Sequence, residues 1–274
     1  MFRFLRYLRH NSPTIFSPIW FFFGSFFRLF INFLKINLYV TQHISKYGPF
    51  KIHLYFGFSN FEKWGIEKNS VFNQMLNQSK NKLHIIDIGA HIGLTTLPFS
   101  KVINKNGTVY SFEPSNINYK YLNNHLKINK INNVIAMKTI VGEKNKSSVL
   151  FYESKIPTGM NSVINLKKRK IRFKTTKKKQ ISLDSFIMKK KIKPEVIKID
   201  AEGSEFFILK GGFKSIKKYR PLIFLSMHIN HMNKLNLKEK DFFDLFSKIN
   251  YQLKDSSGKA CLNLESKEYL LYPK

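Results

Sequence analysis

Three carboxylates, Asp200, Glu202 and Glu205, fall within six residues just after the apolar run at residues 196–199. The chain has only 17 acidic residues against 47 Lys and Arg. Acids this scarce, gathered where a hydrophobic segment stops, suit proton transfer beside a cation. Asp200 and Glu202 lie two apart, so on an extended backbone both side chains face one side. Paired acids raise one another's pKa, a property a general base can use. His228, which closes a second apolar run (RPLIFLSMH, 220–228), is the third group able to take a proton. Glu205 reads as an acid in the first turn of a helix, where the dipole stabilises it by about 0.3–1 kcal/mol.

A second constellation is DIGAHIG, residues 87–93. After an apolar run, Gly89 permits a tight turn and Gly93 lets a ligand approach the start of the next helix. A dinucleotide loop would read GxGxxG. The spacing here, Asp-x-Gly-x-x-x-Gly, suits a shorter ligand with a cationic sulfonium and an amino-acid tail. Asp87 would meet its ammonium, directly or through water, and Ala90 belongs to the same loop. Glu113 ends the following apolar run, 20 residues after Gly93. There a carboxylate can accept both hydroxyls of a ribose, each charged hydrogen bond contributing about 1.5–3 kcal/mol. Dinucleotide enzymes also place an acid at this point, so Glu113 alone leaves both cofactors open.

These residues need elements to hold them. Strands are expected at 83–89, 107–114, 133–142, 195–203 and 220–228, and helices at 93–101, 116–129 and 238–249. EFFILKGG reads as a short helix closed by its two glycines. Strands alternating with helices predict an α/β fold with a parallel, doubly covered sheet. Ligands in such sheets sit at the carboxyl ends of the strands, where Asp200 and Glu202 stand. The tail, YQLKDSSGKACLNLESKEYLLYPK, reads as an antiparallel hairpin turning at Ser-Ser-Gly.

With these motifs in hand, the chain resembles the FkbM-type S-adenosylmethionine-dependent methyltransferases. DIGAHIGLTT, SFEP (111–114), SLDSF (182–186), IKIDAEGSEFFILKGG (197–212) and RPLIFLSMH occur in the family's order, from about Leu83 to Tyr272. The resemblance implies a Rossmann-like, seven-stranded class I methyltransferase sheet with a reversed C-terminal hairpin. It implies a cofactor loop of Asp87, Gly89, Ala90 and Gly93, with Glu113 at the ribose. It also implies Asp200 beside the transferred methyl and the acceptor, Glu202 close by, and transfer mostly to oxygen, commonly on sugars and secondary metabolites. The family often carries an acid shortly before the histidine of the fifth strand. Here that stretch is FLSMH, so His228 remains without it. Asp184 in SLDSF reads as a cap for the helix that starts beside it, and Asn161 and Ser162 as lining for an acceptor pocket.

The formal net charge of +30 invites a nucleic-acid reading. Forty of the 47 cations are lysines spread along the chain, and only seven are the arginines that bidentate readout favours. Nucleic acid is therefore not the expected partner. One cysteine excludes an internal disulfide and fits a reducing cytoplasm. With no HExxH, no metal centre is expected.

Residues 1–60 are set apart as a hydrophobic and basic extension from a methyltransferase domain at 61–274. Thr14 to Phe27 carry no charge, but 14 residues interrupted by Pro18 and Gly24 fall short of the roughly 20 that span a bilayer. Two uses suit the segment: an anchor on the anionic inner face of a membrane, or a helix packed on protein. Nine basic residues from Lys167 to Lys179 suit a solvated loop or a grip on an anion. The expected activity is methylation of a sugar hydroxyl on a glycan, glycolipid or related small molecule. An RNA methyltransferase and a non-enzymatic membrane-associated binding protein are the alternatives.

Overall fold

The computed structural model describes residues 2–12, 14–66, 71–165 and 173–274. Helices α1 (Phe2–Asn11) and α2 (Ser17–Phe33) come first. A hairpin, β1 (Tyr39–Ile44) and β2 (Tyr47–His53), and helix α3 (Phe72–Gln78) follow. The alternating pattern then begins with β3 (His84–Ile88), α4 (Thr96–Val102), β4 (Thr108–Phe112), α5 (Asn116–Ile128) and β5 (Val134–Met137). A second small sheet, β6 (Ile140–Gly142), β7 (Lys146–Ser154) and β8 (Phe173–Ser182), precedes α6 (Leu183–Lys190) and β9 (Val196–Ile199). The rest is α7 (Glu205–Gly211), α8 (Phe213–Tyr219), β10 (Leu222–Ser226), α9 (Ile229–Met232), α10 (Glu239–Ile249), β11 (Tyr251–Lys254) and β12 (Glu268–Pro273).

The main sheet has seven strands in the order β11-β12-β10-β9-β3-β4-β5. Six run in one direction, and β12 lies antiparallel to its neighbours β10 and β11. This is the Rossmann-like α/β architecture with the reversed terminal hairpin. From β3 the chain winds outward through β4 to β5, then resumes on the other side of β3 with β9. That reversal opens a crevice beyond the carboxyl ends of β3 and β9.

Strands covered on both faces are near-continuous apolar runs, and period-two alternation divides them between two cores. Ile85, Val109, Val196 and Phe224 face one core, with α3, α4 and α5. Ile86, Tyr110, Ile197 and Ile223 face the other, with α6, α7, α8 and α10. Phe50 and Ile52 of β2 belong to the first core. Residues 39–56, grouped by the sequence with the N-terminal extension, thus share packing with the main sheet.

Several local expectations change. Residues 133–142 form two strands, β5 and β6, that belong to different sheets. The paired glycines do close α7, as expected, but a further short helix, α8, starts directly after them. Close packing requires the first of them: a Cβ on Gly211 would sit 2.1 Å from the carbonyl oxygen of Gly142. Ser-Ser-Gly turns the chain only into an isolated bridge, Lys254 to Ala260, and the true partner strand of β11 starts at Glu268. Of the basic run, residues 166–172 lie outside the described residues. The remainder is β8, whose Lys178 is buried against Glu153 at 3.0 Å.

The N-terminal helix is also longer than its uncharged stretch. Together with the preceding turn it is helical from Thr14 to Phe33, 20 residues with a mean hydropathy of 1.5. Pro18 falls in the first turn, where its missing N–H has no partner to lose, and Arg28 is carried inside the helix. By length and composition alone, this helix could cross a membrane.

Candidate active site

The floor of the crevice is made where β3 and β9 end. Gly89 has φ +81°, and a Cβ there would lie 1.8 Å from the carbonyl oxygen of Asp200. Only glycine lets the two strand ends touch. Gly93 has φ +100°, and its missing Cβ clears Leu122 of α5, 3.1 Å away; it packs against α5 and is not among the residues that line the cleft.

Asp87 is fully buried. Its Oδ2 accepts hydrogen bonds from Thr95 Oγ1 at 2.7 Å and Thr96 Oγ1 at 2.6 Å. Its Oδ1 lies 3.3 Å from Lys198 Nζ. The strand register puts Asp87 and Lys198 side by side. Asp87 therefore braces the turn from beneath and is not among the residues that line the cleft. Lys198 Nζ donates to the carbonyls of Gly89 at 2.8 Å and Ile88 at 3.3 Å, and lies 3.8 Å from Asp200 Oδ2. Burial pushes this ammonium's pKa down, but Asp87 and Asp200 outweigh it and hold the pKa above its ordinary value.

Glu113 stands at the end of β4, nearly buried. Its Oε2 accepts from the His91 N–H at 2.8 Å and its Oε1 from the Ser115 N–H at 2.9 Å. Burial raises its pKa to about 7 against these two donors. Each oxygen keeps a further lone pair, so the carboxylate that shapes the turn can still receive two hydroxyls. Burial, then the charge of Lys198, keeps His91 neutral with a pKa of about 4.

At the other end, β9 stops at Ile199, and Asp200 and Glu202 converge through a turn rather than along a strand. Glu202 has φ +50°, a left-handed backbone. His228 Nε2 lies 3.8 Å from Asp200 Oδ1 and 3.5 Å from Glu202 Oε1. His228 Nδ1 is held at 2.8 Å by Glu205 Oε1, which also accepts from the N–H groups of Ala201 and Gly203. Burial lowers the pKa of His228, but Glu205, then Asp200 and Glu202, carry it up to about 9. As an imidazolium, His228 is held by Glu205 and faces the carboxylates of Asp200 and Glu202, an arrangement that favours one of those two as the base. His231 stacks parallel on His228 at 5.5 Å. Ligand atoms of Asp200, Glu202 and His228 lie within 4.8 Å of one another, a spacing that could also hold a metal ion.

Asp200, Glu202, Gly89, Ala90 and Glu113 all line one open cleft. Phe151 of β7 and Ile140 of β6 supply an apolar wall, and Asn161 lines it too. Ser162 is tied to the rim, its Oγ donating to the Glu202 carbonyl at 2.7 Å. His91 Nε2, Asn118 Oδ1 and Trp64 Nε1, on three lining residues, are buried without a hydrogen-bond partner among the described residues. A cleft with unmet donors and acceptors beside a free-edged carboxylate fits an adenosine-bearing cofactor.

Sequence reasoning missed Lys198, and gave Glu205 only a helix-dipole role. A lysine in the middle of the buried run VIKI was the available signal, because a lysine is not buried without partners. Asp184 is also reassigned. Ser182 caps its own helix, accepting from the Ser185 N–H at 3.2 Å. Asp184 instead accepts from the N–H groups of Lys214 and Ser215 at 3.1 and 2.7 Å, the start of α8.

Comparison with known proteins bears on the whole arrangement. No curated protein matches the chain. Among solved structures, it is similar to the methyltransferase FkbM of Methylobacillus flagellatus KT, at 21% identity over 70% of this chain with a TM-score of 0.46. The chain spans 44% of that protein's length. It is also similar to precorrin-6y C5,15-methyltransferase from Geobacter metallireducens GS-15, at 12% identity over 75% of this chain and 88% of that one, TM-score 0.41. A third is M. jannaschii TYW2 in complex with AdoMet, at 16% identity over 86% and 84%, TM-score 0.39. A profile of the methyltransferase FkbM domain matches residues 87–255, more than half of the chain, from the first aspartate of the turn to the terminal hairpin. The protein belongs to the FkbM-domain methyltransferases.

Proposed function

We propose that this protein transfers a methyl group from S-adenosylmethionine to a hydroxyl oxygen, on a sugar of a glycan, glycolipid or related metabolite. One observation carries the reading. A carboxylate suited to ribose, Glu113, and a pair of acids suited to a reacting hydroxyl, Asp200 and Glu202, line the same cleft. The mainly O-directed chemistry of the FkbM resemblance supports the acceptor class.

When bound, the cofactor supplies an electrophilic methyl on a cationic sulfonium. Gly89 and Ala90 would border it, with Glu113 accepting its ribose hydroxyls and His91 and Asn118 offering further contacts. Asp200 and Glu202 present negative charge at the opposite end. Asp200, braced by Lys198 and one-third exposed, would accept the hydroxyl proton as the new bond forms. His228, fixed by Glu205, would orient both carboxylates without taking the proton itself. Alignment contributes the larger share, up to about 7–11 kcal/mol, and the base a factor of roughly 100 to 10,000.

Calorimetry of S-adenosylmethionine on the wild type and on Glu113→Ala tests the reading. Micromolar binding that the variant weakens is expected. Absence of binding by a folded wild type would remove it.

A further inference from the structure

We propose that α1 and α2 form an in-plane seat on an anionic phospholipid bilayer, with one face clamped to the domain and the other sunk among the lipids. The helix from Thr14 to Phe33 has two apolar faces. Trp20, Gly24, Phe27 and Ile31, spaced four, three and four residues apart, form the face turned toward the domain. Gly24 and Ile31 on it are buried, and the Phe27 ring meets Phe58 at 4.7 Å. Ile15, Ile19, Phe22, Phe26, Leu29 and Phe33 repeat at the same spacing on the other side. Each is 60–81% exposed. Only 11% of the helix's most apolar stretch is buried. Scattered exposed hydrophobics are ordinary, but a six-residue stripe continuous over about 30 Å of helix is not.

Charge identifies what covers it. A groove between α1, α2 and residues 58–64 is lined by Arg6, Arg9, Arg28 and Lys63, with Trp20 and Trp64 among them. No carboxylate pairs with Arg9 or Arg28 among the described residues. Arg9 gives its Nη1 to the Phe58 carbonyl at 3.1 Å. Burial, then the nearby Arg28, pushes the Arg9 guanidinium below its ordinary value, as expected of a cation lacking an anion. Phosphate oxygens beside an apolar phase match this pairing of arginines with an exposed aromatic stripe. A second copy of the chain does not, because a twofold contact would bring each groove's arginines toward their equivalents on a molecule of net charge +30. A spanning helix does not either, because crossing would strip Phe27 and Ile31 from the domain and leave Arg28 within the hydrocarbon. Trp64 lines both this groove and the catalytic cleft. A membrane seat would therefore bring the cleft close to lipid-borne acceptors. The seat itself stands independently of the chemistry assigned to the cleft.

Sedimentation of the full-length protein with vesicles is the test, with folding checked by circular dichroism. The wild type should pellet with phosphatidylglycerol–phosphatidylcholine vesicles, far less with pure phosphatidylcholine, and return to the supernatant in alkaline carbonate. Phe22→Asp/Phe33→Asp should weaken binding more than ~100-fold. Arg9→Gln/Arg28→Gln should weaken it roughly 25-fold. Inorganic phosphate at 10 mM should not release the protein, which separates a bilayer from a free anion. Failure of a folded wild type to pellet, equal binding to neutral vesicles, or retention in carbonate would each overturn the proposal. So would a dimer broken by Phe22→Asp/Phe33→Asp without vesicle binding.

Discussion

Two groups of charged residues, one beneath the cleft and one at its rim, are used to opposite effect. Beneath the β3 turn, Asp87 and Lys198 are buried, and their charges are spent on each other, on two threonine hydroxyls and on two backbone carbonyls. At the rim, Asp200, Glu202 and His228 are only partly buried and face one another across 3.5–3.8 Å. A buried charge with every partner fixed can hold a backbone but cannot readily change protonation. A half-exposed one can exchange protons and meet a substrate. Burial, more than residue type, separates scaffold from chemistry here.

The largest effect should come from breaking the floor. Lys198→Met leaves Asp87 buried and uncompensated, and should cost about 3–5 kcal/mol of stability in urea unfolding. Activity should be lost with it. If Lys198→Met unfolded at wild-type urea concentrations, the floor would not be structural. The rim should behave the other way. Asp200→Asn should lower kcat roughly 100- to 10,000-fold at saturating cofactor while the urea midpoint barely moves. An intact turnover would show that Asp200 is not the base.

Glu113 stands between the two roles, since it both holds backbone and faces the cleft. Glu113→Ala should weaken S-adenosylmethionine binding by about 10- to 100-fold, the loss of one or two charged hydrogen bonds. Its pKa of about 7 adds a pH signature. Below pH 7 the carboxyl is protonated, and above it the anion is available to accept hydroxyls, so affinity measured calorimetrically should rise from pH 6 to pH 8. For stability the sign is reversed. The folded pKa lies above the ordinary 4.5, so the protonated form favours folding at low pH, and that contribution fades as pH rises from about 4.5 to 7. The smallest effect belongs far from both ends. Asp184→Ala removes a cap from α8 and should cost about 1 kcal/mol, seen in Tm alone.

What the sequence shows of the site depends on how local its signal is. DIGAHIG, SFEP and IKIDAEGSE are legible because each carries its turn and its acid within a few residues. His228 is legible because an apolar run ends on it. Lys198 is hidden among 40 lysines, and only its neighbours' burial distinguishes it. The role of Glu205 depends on a partner 23 residues away, and that of Asp184 on N–H groups 30 and 31 residues away. The second sheet is obscured for the same reason. FKTTKKKQIS reads as a charge run until Lys178 meets Glu153, which also accepts from the backbone and side-chain nitrogens of Asn116. The main sheet is legible because a doubly covered strand is a near-continuous apolar run, a constraint its residues carry directly. The helix Thr14–Phe33 outruns the uncharged stretch that marks it in the sequence, because Arg28 lies within it.

The contact between Gly89 and the Asp200 carbonyl also has a practical consequence for redesign. A library aimed at reshaping the cleft gains nothing from varying the floor, since any side chain at 89 wedges β3 from β9 and moves both halves of the cleft together. The wall offers separable choices. Phe151, Ile140 and Asn161 border the cleft from the small sheet and its loop, outside that junction. Changes there can reshape what enters while leaving the joint between the two halves untouched.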